Sequence, residues 1–364
     1  MRRNIILISI FIITITACTT ANLRQTSVHG KKVKNVILFI GDGMGTAQMY
    51  AAITESKVPL AVESFPVVGF SKTYSYDKYV TDSGAGGTAI ACGTKTRNGM
   101  IGVGPDSTKL ESIIEIAHRN GLATGVLSTS AITHATPASF VAHNSGRGNY
   151  EDIARDFLSG SADVFMGGGE NHFRKRKDST DLSLELRKMG YDFVTSLDEM
   201  KKSTSSKIAA LLAKEHMPKA SEGRDGQLAE MVRKAISTLS QDKDGFFMMV
   251  EGSMIDWGGH AKDLPYVTSE VIDMDKAIAV AMEFADNDGE TLIVVTADHE
   301  TGGLILTGGS IKDHKVEANF VQSGEHTGVM VPVYAYGQGA ANFSGIHENT
   351  FFLGEWIKLL RLKR

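Results

Sequence analysis

The stretch NVILFIGD, residues 35–42, contains five consecutive apolar residues, Val36 to Ile40, and ends in a glycine and an aspartate. A short apolar run of this kind is typical of a strand that is buried on both faces. Such strands occur mainly in parallel sheets that helices cover on both sides. The run therefore predicts a central strand of an α/β fold.

Further apolar runs along the chain support the same fold class, and helical patterns lie between them. The runs predict buried strands over residues 123–128, 162–167, 246–250, 291–296 and 329–337. Helical spacing of apolar residues predicts helices over residues 107–121, 226–241 and 269–287 and a last amphipathic helix over 350–364. The alternation predicts a mostly parallel central sheet with helices on both faces. Because no linker divides the chain, we expect a single large domain over residues 31–364, with an irregular elaboration at about 170–225.

The composition excludes one class of function. The chain has 364 residues, of which 42% are hydrophobic, and a net charge of −4. This length and hydrophobic share are enough for a large core. The charge balance provides no strongly basic surface, so we expect no nucleic-acid-specific binding.

The N-terminus has the pattern of an export signal. Two arginines precede an apolar block at residues 5–15, which is too short to span a bilayer but suits a signal peptide. The ending ITAC predicts a lipoprotein signal at residues 1–17, with a lipid on Cys18 and a polar tether at residues 18–30. We expect an exported protein, periplasmic or anchored to the outer membrane, that contacts the membrane only through this lipid. An ordinary secretory signal with a coincidental cysteine is the alternative; Cys92 is expected to be a small buried hydrophobic residue.

Three of the predicted strands end close to an acidic residue. Asp42, Glu251 and Asp298 each follow an apolar run and precede a glycine or a histidine. In open α/β sheets, ligands gather beyond the carboxyl ends of the strands. A buried unpaired carboxylate is costly, so such acids usually bind a cation or become protonated. Together with nearby histidines, they predict a metal site.

The histidines near these acids have spacings that suit metal ligands. Asp256 and His260 are four residues apart, so a helical turn places them on one face. Asp298 and His299 are neighbours, and both reach one cavity only if the strand ends in a turn, which the next two glycines permit. His326 precedes a predicted strand, so its loop has to fold back to reach the others. Carboxylate with imidazole suits zinc, and carboxylate with hydroxyl suits magnesium.

Six motifs resemble those of the alkaline phosphatase family and follow one another in that family's order. They are VILFIGDGMG, VTDSGAGGTAIACGTKTRNGMIGV, THATPASFVAHNSGR, MVEGSMIDWGGHA, VVTADHETGG and EHTGV. The pairing of His134 with Trp257 looks like that of a bacterial subgroup that includes cold-active enzymes. The resemblance implies an alkaline-phosphatase-like fold, homodimerisation, and the release of inorganic phosphate from a broad range of small phosphate monoesters.

The resemblance also implies roles for individual residues. It implies Ser83 as the nucleophile that becomes a covalent phosphoserine and Arg147 as the clamp on the phosphate. It implies two zinc ions and one magnesium ion. The implied ligands are Asp256, His260 and His326 for one zinc, Asp42, Asp298, His299 and the Ser83 oxygen for the other, and Asp42, Thr136 and Glu251 for magnesium.

The residue chemistry agrees with these implied roles. A serine hydroxyl is a weak nucleophile that needs an adjacent base or a metal ion. The small residues that follow Ser83 let the N–H groups of a helix N-terminus approach a phosphate. The guanidinium of Arg147 matches two phosphate oxygens at once.

Two positions depart from the best-known enteric members of the family, which carry Asp and Lys there. His134 is therefore a candidate ligand that draws zinc to the third metal site. Trp257 removes a cation from the phosphate region, which is expected to loosen product binding. Both residues are candidates for substrate binding.

Other functions can be compared with the motifs that the sequence contains. A phosphodiesterase of the same metal-hydrolase superfamily is the main alternative because it shares the metal geometry, whereas Arg147 favours a dianionic monoester. A sulfatase is disfavoured because neither Ser83 nor Cys92 begins a C/S-x-P-x-R signature. A non-catalytic lipoprotein is disfavoured because nucleophile and ligand positions all hold competent residues. No phosphate-binding G-x-x-x-x-G-K-[ST] loop occurs.

Overall fold

Residues 35–41 form a strand near the middle of a ten-stranded sheet in the computed structural model, which describes residues 32–321 and 323–364. The strands, in chain order, are β1 (Asn35–Gly41), β2 (Val67–Lys72), β3 (Ala123–Ala131), β4 (Val164–Gly168), β5 (Asp192–Val194), β6 (Ile208–Ala213), β7 (Phe246–Gly252), β8 (Thr291–Thr296), β9 (Glu300–Thr301), β10 (Ile305–Ser310), β11 (Lys315–Asn319), β12 (His326–Thr327), β13 (Val331–Gly337) and β14 (Gly345–Glu348).

The large sheet is almost entirely parallel. Its spatial order is β14-β2-β13-β8-β1-β7-β3-β4-β6-β5. Only β13 runs antiparallel to both of its neighbours, β2 and β8. Two small antiparallel ribbons, β10–β11 and β9–β12, lie outside it. The prediction of a mostly parallel central sheet is therefore confirmed.

Helices cover both faces of this sheet. They are α1 (Thr46–Glu55), α2 (Ser83–Cys92), α3 (Ile113–Arg119), α4 (Ala135–Ala138), α5 (Tyr150–Asp156), α6 (Glu170–Arg174), α7 (Leu182–Lys188), α8 (Leu197–Lys202), α9 (Gln227–Leu239), α10 (Met254–Ala261), α11 (Leu264–Asp288) and α12 (Phe351–Leu360).

The side chains of β1 show why the sheet needs cover on both faces. Val36, Leu38 and Ile40 pack into one core cluster, together with residues of α2, α3 and α12. Ile37 and Phe39 point the other way and pack into a second cluster, together with residues of α1, α9 and α11. Successive strand residues alternate between faces, so an unbroken apolar run is buried only between two helical layers.

Two helices begin at residues other than those that the sequence predicts. α3 begins at Ile113 rather than near residue 107, because Ser112 and Glu115 form a capping box that fixes the start there. α11 begins at Leu264 rather than 269, because the Asp263 side chain accepts a hydrogen bond from the Tyr266 amide and caps the helix. Capping side chains, rather than apolar spacing, set both boundaries.

The expectation of an irregular elaboration at about 170–225 is wrong. This region contains α6, α7 and α8, and its strands β5 and β6 extend the parallel sheet beyond β4. None of these elements exceeds seven residues. The helices and β5 do not repeat an apolar pattern often enough for it to be recognised against polar neighbours. β6 is different, because its sequence IAALLA is an apolar run of the kind that predicts the other buried strands.

The predicted signal peptide and tether, including Cys18, lie outside the described residues and stay predictions. Residues 31–364 form one compact unit. None of the helices in the part of the chain that the structure describes is long and apolar enough to cross a membrane.

Candidate active site

Three buried acids lie at the carboxyl ends of three adjacent strands. β8, β1 and β7 are neighbours in the sheet, and Asp298, Asp42 and Glu251 lie at or just beyond the ends of these strands. Each of the three side chains belongs to a residue that is at most 1% exposed. Parallel strands end at the same edge of a sheet, and the structure thereby brings together the acids that the sequence singles out.

A helix and a short ribbon bring Asp256, His260 and His326 together. Asp256 and His260 lie on one face of α10, and His260 Nε2 is 3.4 Å from Asp256 Oδ1. The pairing of β12 with β9 folds the intervening loop back, so that His326 Nε2 is also 3.4 Å from Asp256 Oδ1. One ligand atom from each residue lies within 4.8 Å of the others. Two imidazoles and a carboxylate are a set of ligands that suits zinc.

His299 lies at the centre of a second group. Its Nε2 atom is 3.4 Å from Asp42 Oδ1 and 3.3 Å from Asp298 Oδ2. The same atom is 3.2 Å from the Oγ atom of Ser83. No histidine is near Ser83 in the sequence, and the fold supplies one in space. Asp256 also belongs to this group, because ligand atoms of Asp42, Asp256 and His299 lie within 4.8 Å of one another.

Ser83 is the first residue of α2, and its surroundings explain the run of small residues that follows it. The Asp82 side chain caps the helix by accepting a hydrogen bond from the Ala85 amide at 2.9 Å. A Cβ atom on Gly86 would come within 3.1 Å of the Asp298 Cβ atom. The helix therefore packs directly against the acids only because its residues are small. Cys92, at its other end, is a buried free cysteine, as expected.

A third group lies on the other side of Asp42. Ligand atoms of Asp42, His134 and Glu251 lie within 4.8 Å of one another. The Thr136 hydroxyl donates to Asp42 Oδ2 at 3.5 Å, which brings the fourth expected residue into this group. Three serines hydrogen-bond to Glu251 Oε2 and fix its orientation: Ser128 at 2.7 Å, Ser253 at 2.6 Å and Ser130 at 3.4 Å.

Arg147 and Trp257 border these groups. Arg147 Nη1 donates to Asp82 Oδ2 at 2.9 Å, and its Nη2 atom lies 3.5 Å from His134 Nε2. The guanidinium is thereby held beside the start of the helix that carries Ser83. The rings of Trp257 and His134 lie edge to face with centroids 6.1 Å apart.

Three acids and one histidine of the site hold polar atoms that the rest of the described chain leaves without a hydrogen-bond partner. These buried atoms include Asp42 Oδ1, Asp298 Oδ2, Glu251 Oε1 and His134 Nδ1. Burial and neighbouring carboxylates raise the pKa of Asp42 well above its usual range and that of Asp298 to about 7. Converging buried oxygens that neighbouring side chains do not satisfy are the donor set that cations require, so the residues fit metal ions.

Two of the histidines, His134 and His299, are in the protonation state that suits metal binding. Burial lowers the pKa of His134 to about 3 and that of His299 well below its usual value. In His326, by contrast, burial opposes the charge, but the bonds to Asp256 and to the Thr81 carbonyl raise the pKa above its usual value. Burial opposes the charge on Asp256, but a hydrogen bond from His326 and the nearby histidines bring its pKa below the usual range. Neutral imidazoles and an ionised carboxylate are the ligand forms.

The family of the chain follows from its sequence as a whole. Residues 33–319 match the sequence model of a family described as alkaline phosphatase. The chain belongs to the alkaline phosphatase family. It is 33% identical to alkaline phosphatase 4 of Bacillus subtilis, over 94% of this chain and 93% of that protein.

Solved structures of alkaline phosphatases share the fold. The alkaline phosphatase from the Antarctic bacterium TAB5 is 42% identical, with a TM-score of 0.87 over 92% of this chain and 99% of that one. A histidine-to-glutamate mutant of the TAB5 enzyme, described with Mg bound in its M3 site, is 41% identical, with a TM-score of 0.86 over the same shares of the two chains. The predictions of an alkaline phosphatase, an enzyme, and of its fold are confirmed, and family and fold support a metal-dependent phosphomonoesterase.

Sequence reasoning assigns no role to several residues of the site. The roles of Ser253 and Asp82 have a weak sequence signal, because each lies within two residues of a predicted site residue. Ser128 lies on β3, outside the quoted motifs, and reaches Glu251 through the pairing of β3 with β7. His216 lies in the polar region that was expected to be irregular, yet its ring is 4.7 Å from that of Trp257. Only the fold identifies the last two.

Proposed function

We propose that the chain hydrolyses phosphate monoesters through a covalent phosphoserine at Ser83, with two zinc ions and one magnesium ion. One observation carries the proposal: Ser83 Oγ lies at the start of α2, 3.2 Å from Nε2 of His299, which belongs to one of the three clusters of ligand atoms. A hydroxyl at this position meets both the anion-binding end of a helix and the metal ligands.

We assign the ions to residues with the support of the three clusters and of the contacts that Asp298 makes with His299 and Thr136 makes with Asp42. Asp256, His260 and His326 would hold one zinc, and Asp42, Asp298 and His299 would hold the other, next to Ser83. Asp42, Glu251 and Thr136 would hold magnesium, and His134, which lies in the same cluster, would draw zinc to this site. Bound metal ions supply Lewis acidity, which makes the serine oxygen more acidic and stabilises charge on entering and leaving oxygens.

The chain's own residues orient the substrate. The first turn of α2 favours the negative charge of the phosphate, and the Arg147 fork, held by Asp82, binds two of its oxygens. Ser83 Oγ then forms a bond to phosphorus while the ester P–O bond breaks, and the alcohol takes up a proton as it leaves. Water breaks the phosphoserine bond and regenerates Ser83 with release of inorganic phosphate.

The first experiment compares an aryl phosphate monoester with the matching diester on protein stripped by a chelator and rebuilt with zinc and magnesium. We expect a rate ratio far above one that is lost on stripping and restored by the metals. Acid quenching followed by mass spectrometry should find phosphate on the peptide that contains Ser83, and Ser83→Ala should lose both activity and label while still binding zinc. A ratio below one would move the chain to the phosphodiesterases.

The third site and the phosphate contact can be tested at two residues. We expect His134→Asp to favour magnesium over zinc in the third site, because a carboxylate replaces an imidazole. We expect Trp257→Lys to tighten inhibition by phosphate, because it adds a cation. Unchanged metal content and unchanged inhibition would contradict these roles.

We also propose that the chain forms a homodimer, which an exposed apolar surface supports. Val68 and Phe70 lie on one face of β2, and Phe70 is paired with Ile346 on the edge strand β14. All three are exposed. A cluster of exposed apolar residues along a sheet edge is typical of an interface. Sedimentation of the wild type and of Ile346→Glu tests it: a dimer that the variant weakens is expected, and a monomeric wild type would refute it.

We further propose export and a lipid on Cys18, on the basis of the N-terminal pattern alone. Radioactive palmitate should label the wild type and not Cys18→Ser, and the wild type should fractionate with the cell envelope. Release of an unlabelled wild-type protein would favour the ordinary secretory signal.

A further inference from the structure

His216 lies in a turn at residues 214–219 that follows β6 and reaches the candidate active site. The amide of Ala131, at the end of β3, donates a hydrogen bond to His216 Nδ1 at 3.0 Å. A ring nitrogen that accepts from an amide carries no proton, so the neutral ring has its proton on Nε2. This bond fixes the orientation of the imidazole.

The fixed ring contacts two residues of the site. It lies edge to face with Trp257, with centroids 4.7 Å apart and planes at 86°, and with His134, at 5.8 Å and 85°. His134 and Trp257 are themselves edge to face. Three rings that are mutually near perpendicular restrict one another's rotation, because each edge fits against a neighbouring face.

The turn that carries His216 is attached to the rest of the fold by buried charge. Arg224 is completely buried and forms ion pairs with Glu270 and Asp273 on α11. Its Nε atom donates to the Pro218 carbonyl at 2.8 Å, and the Ala220 amide donates to Glu270 Oε1 at 2.8 Å. Both bonds tie the chain just after His216 to a long helix.

The turn is also held by contacts with strands β3 and β4. The Met217 amide donates to the Thr129 carbonyl at 3.3 Å. A Cβ atom added to Gly168, on β4, would lie 2.0 Å from the Glu215 carbonyl oxygen. The turn therefore lies directly against the ends of β3 and β4 and has little room to move.

We propose that His216 is a positioning residue, which holds Trp257 and His134 in the orientations that they present to the phosphate and to the third metal site. The proposal rests on the proposed function, because it assigns His216 to that site. His134 Nε2 lies 3.5 Å from Arg147 Nη2, so rotation of the His134 ring would also disturb the phosphate clamp. His216 itself touches neither reacting group.

Two variants separate the two contacts of the ring. In His216→Asn, an amide oxygen can still accept from Ala131, but the ring is lost. In His216→Phe, the ring remains, but the Ala131 amide has no acceptor. Lys214→Ala serves as the control, because Lys214 is an exposed residue of the same turn.

Tryptophan fluorescence gives a readout that does not depend on turnover. The chain has two tryptophans, Trp257 and the buried Trp356. In a Trp356→Phe background, emission therefore reports Trp257 alone. Acrylamide quenching, inhibition by inorganic phosphate, and kcat and KM for an aryl phosphate are measured on the metal-loaded protein.

We expect His216→Asn to increase quenching of Trp257 and to change KM and phosphate inhibition by about threefold to tenfold with a smaller change in kcat, as for the loss of an aromatic pair. His216→Phe should restore the quenching of the wild type. His216→Phe is uninformative if it unfolds at a lower temperature. In that case, the acrylamide quenching of Trp257 in His216→Asn is compared with that in Lys214→Ala, and this comparison tests the positioning role of His216. Wild-type quenching, KM and inhibition in His216→Asn would overturn the inference, and a wild type without phosphomonoesterase activity would instead overturn the proposed function.

Discussion

The rings of His299 and His326 stack face to face, with centroids 3.6 Å apart and planes 21° apart. The two residues lie on either side of a loop, and the β9–β12 ribbon that closes this loop brings them together. The stack places one ligand of each proposed zinc ion in contact, because His326 belongs to the first ligand group and His299 to the second. Two charged imidazoles would repel one another at this distance, so the charge of His326 adds to burial in lowering the pKa of His299 and keeps that ring in the neutral, metal-binding form.

The ribbon depends on the buried side chain of Glu300. Its Oε1 atom accepts hydrogen bonds from Gln48 Nε2 at 2.5 Å and from the Leu304 amide at 3.1 Å, and the Thr327 hydroxyl donates to its Oε2 atom. We expect Glu300→Ala to weaken zinc binding about 10- to 100-fold, as is typical when the support of a metal ligand is lost. Competition with a chromophoric chelator measures it.

The exposed residue Glu325 provides the control for Glu300. Glu325→Ala removes a carboxylate from the same loop and should leave the affinity for zinc unchanged. Equal affinities in the two variants would show that Glu300 does not support the site.

Metal affinity should depend steeply on pH. Burial first, and then the charge of Asp256, raise the pKa of Asp298 to about 7, and the pKa of Asp42 is raised as well. Protons therefore compete with metal ions as the pH falls through about 7, and zinc binding should weaken from pH 8 to pH 6 with proton release on binding. Calorimetry in buffers of different ionisation enthalpy measures this release.

The same raised pKa values have an opposite effect on the metal-free protein. Between about pH 4 and pH 7 the folded metal-free chain binds more protons at Asp298 than the unfolded chain does, so this group makes the free energy of unfolding fall as the pH rises. Zinc binding that is independent of pH would contradict both expectations.

Arg147 should act mainly on substrate affinity. One nitrogen of its guanidinium, Nη1, donates to Asp82, and this bond holds the guanidinium beside the start of α2, which carries Ser83. Arg147 is half-buried, and each hydrogen bond between charged groups is worth about 1.5–3 kcal/mol, so a phosphate that loses two of them is held much less tightly. We expect Arg147→Ala to raise KM for a phosphate monoester about 30-fold or more, and to raise the KM of any residual diester hydrolysis less. Equal effects on both substrates would contradict a clamp for a dianionic phosphate.

The sequence predicts the centre of this molecule better than its edges, for physical reasons. The strand at 35–40 is buried on both faces, so burial alone fixes its composition. β5, at the end of the sheet, has only three residues and shows no pattern of its own. β6 has the apolar run IAALLA, but it stands alone in a polar region whose other elements are short. The site follows the same division. Asp42 and His299 are recognised because they follow buried strands, whereas the position of His216 depends on β6 and on the buried Arg224, which local patterns do not reveal.

The buried charges around Arg224 should make a large contribution to stability. Replacing Arg224 with Met leaves Glu270 and Asp273 buried without a counter-charge, which typically costs about 3–5 kcal/mol. Denaturant unfolding measures the loss. Lys219→Ala, at a half-buried lysine of the same loop, should cost less than about 1 kcal/mol, and a similar loss in both variants would show that the ion pairs add nothing specific.

His143 and Glu115 should give the chain a second, independent dependence of stability on pH. His143 Nδ1 donates to the Gly102 carbonyl at 2.7 Å and Nε2 donates to Glu115 at 2.9 Å, so both ring nitrogens carry protons. Burial opposes the charge, but these bonds raise the pKa of His143 above 6.5, and His143 lowers that of Glu115 below 4.5 against a burial effect of opposite sign.

The signs of the two shifts define a window of pH. The contribution of His143 is fully present below about pH 6.5 and is lost as the pH rises through its raised folded value, and that of Glu115 is lost as the pH falls through its lowered value. His143→Gln should therefore cost most between about pH 4.5 and 6.5, about 1–2 kcal/mol for a charged hydrogen bond, and less at pH 9. Urea unfolding across this range measures it, with the exposed His118→Gln as the control. A cost that stays constant or grows toward pH 9 would contradict a charged His143.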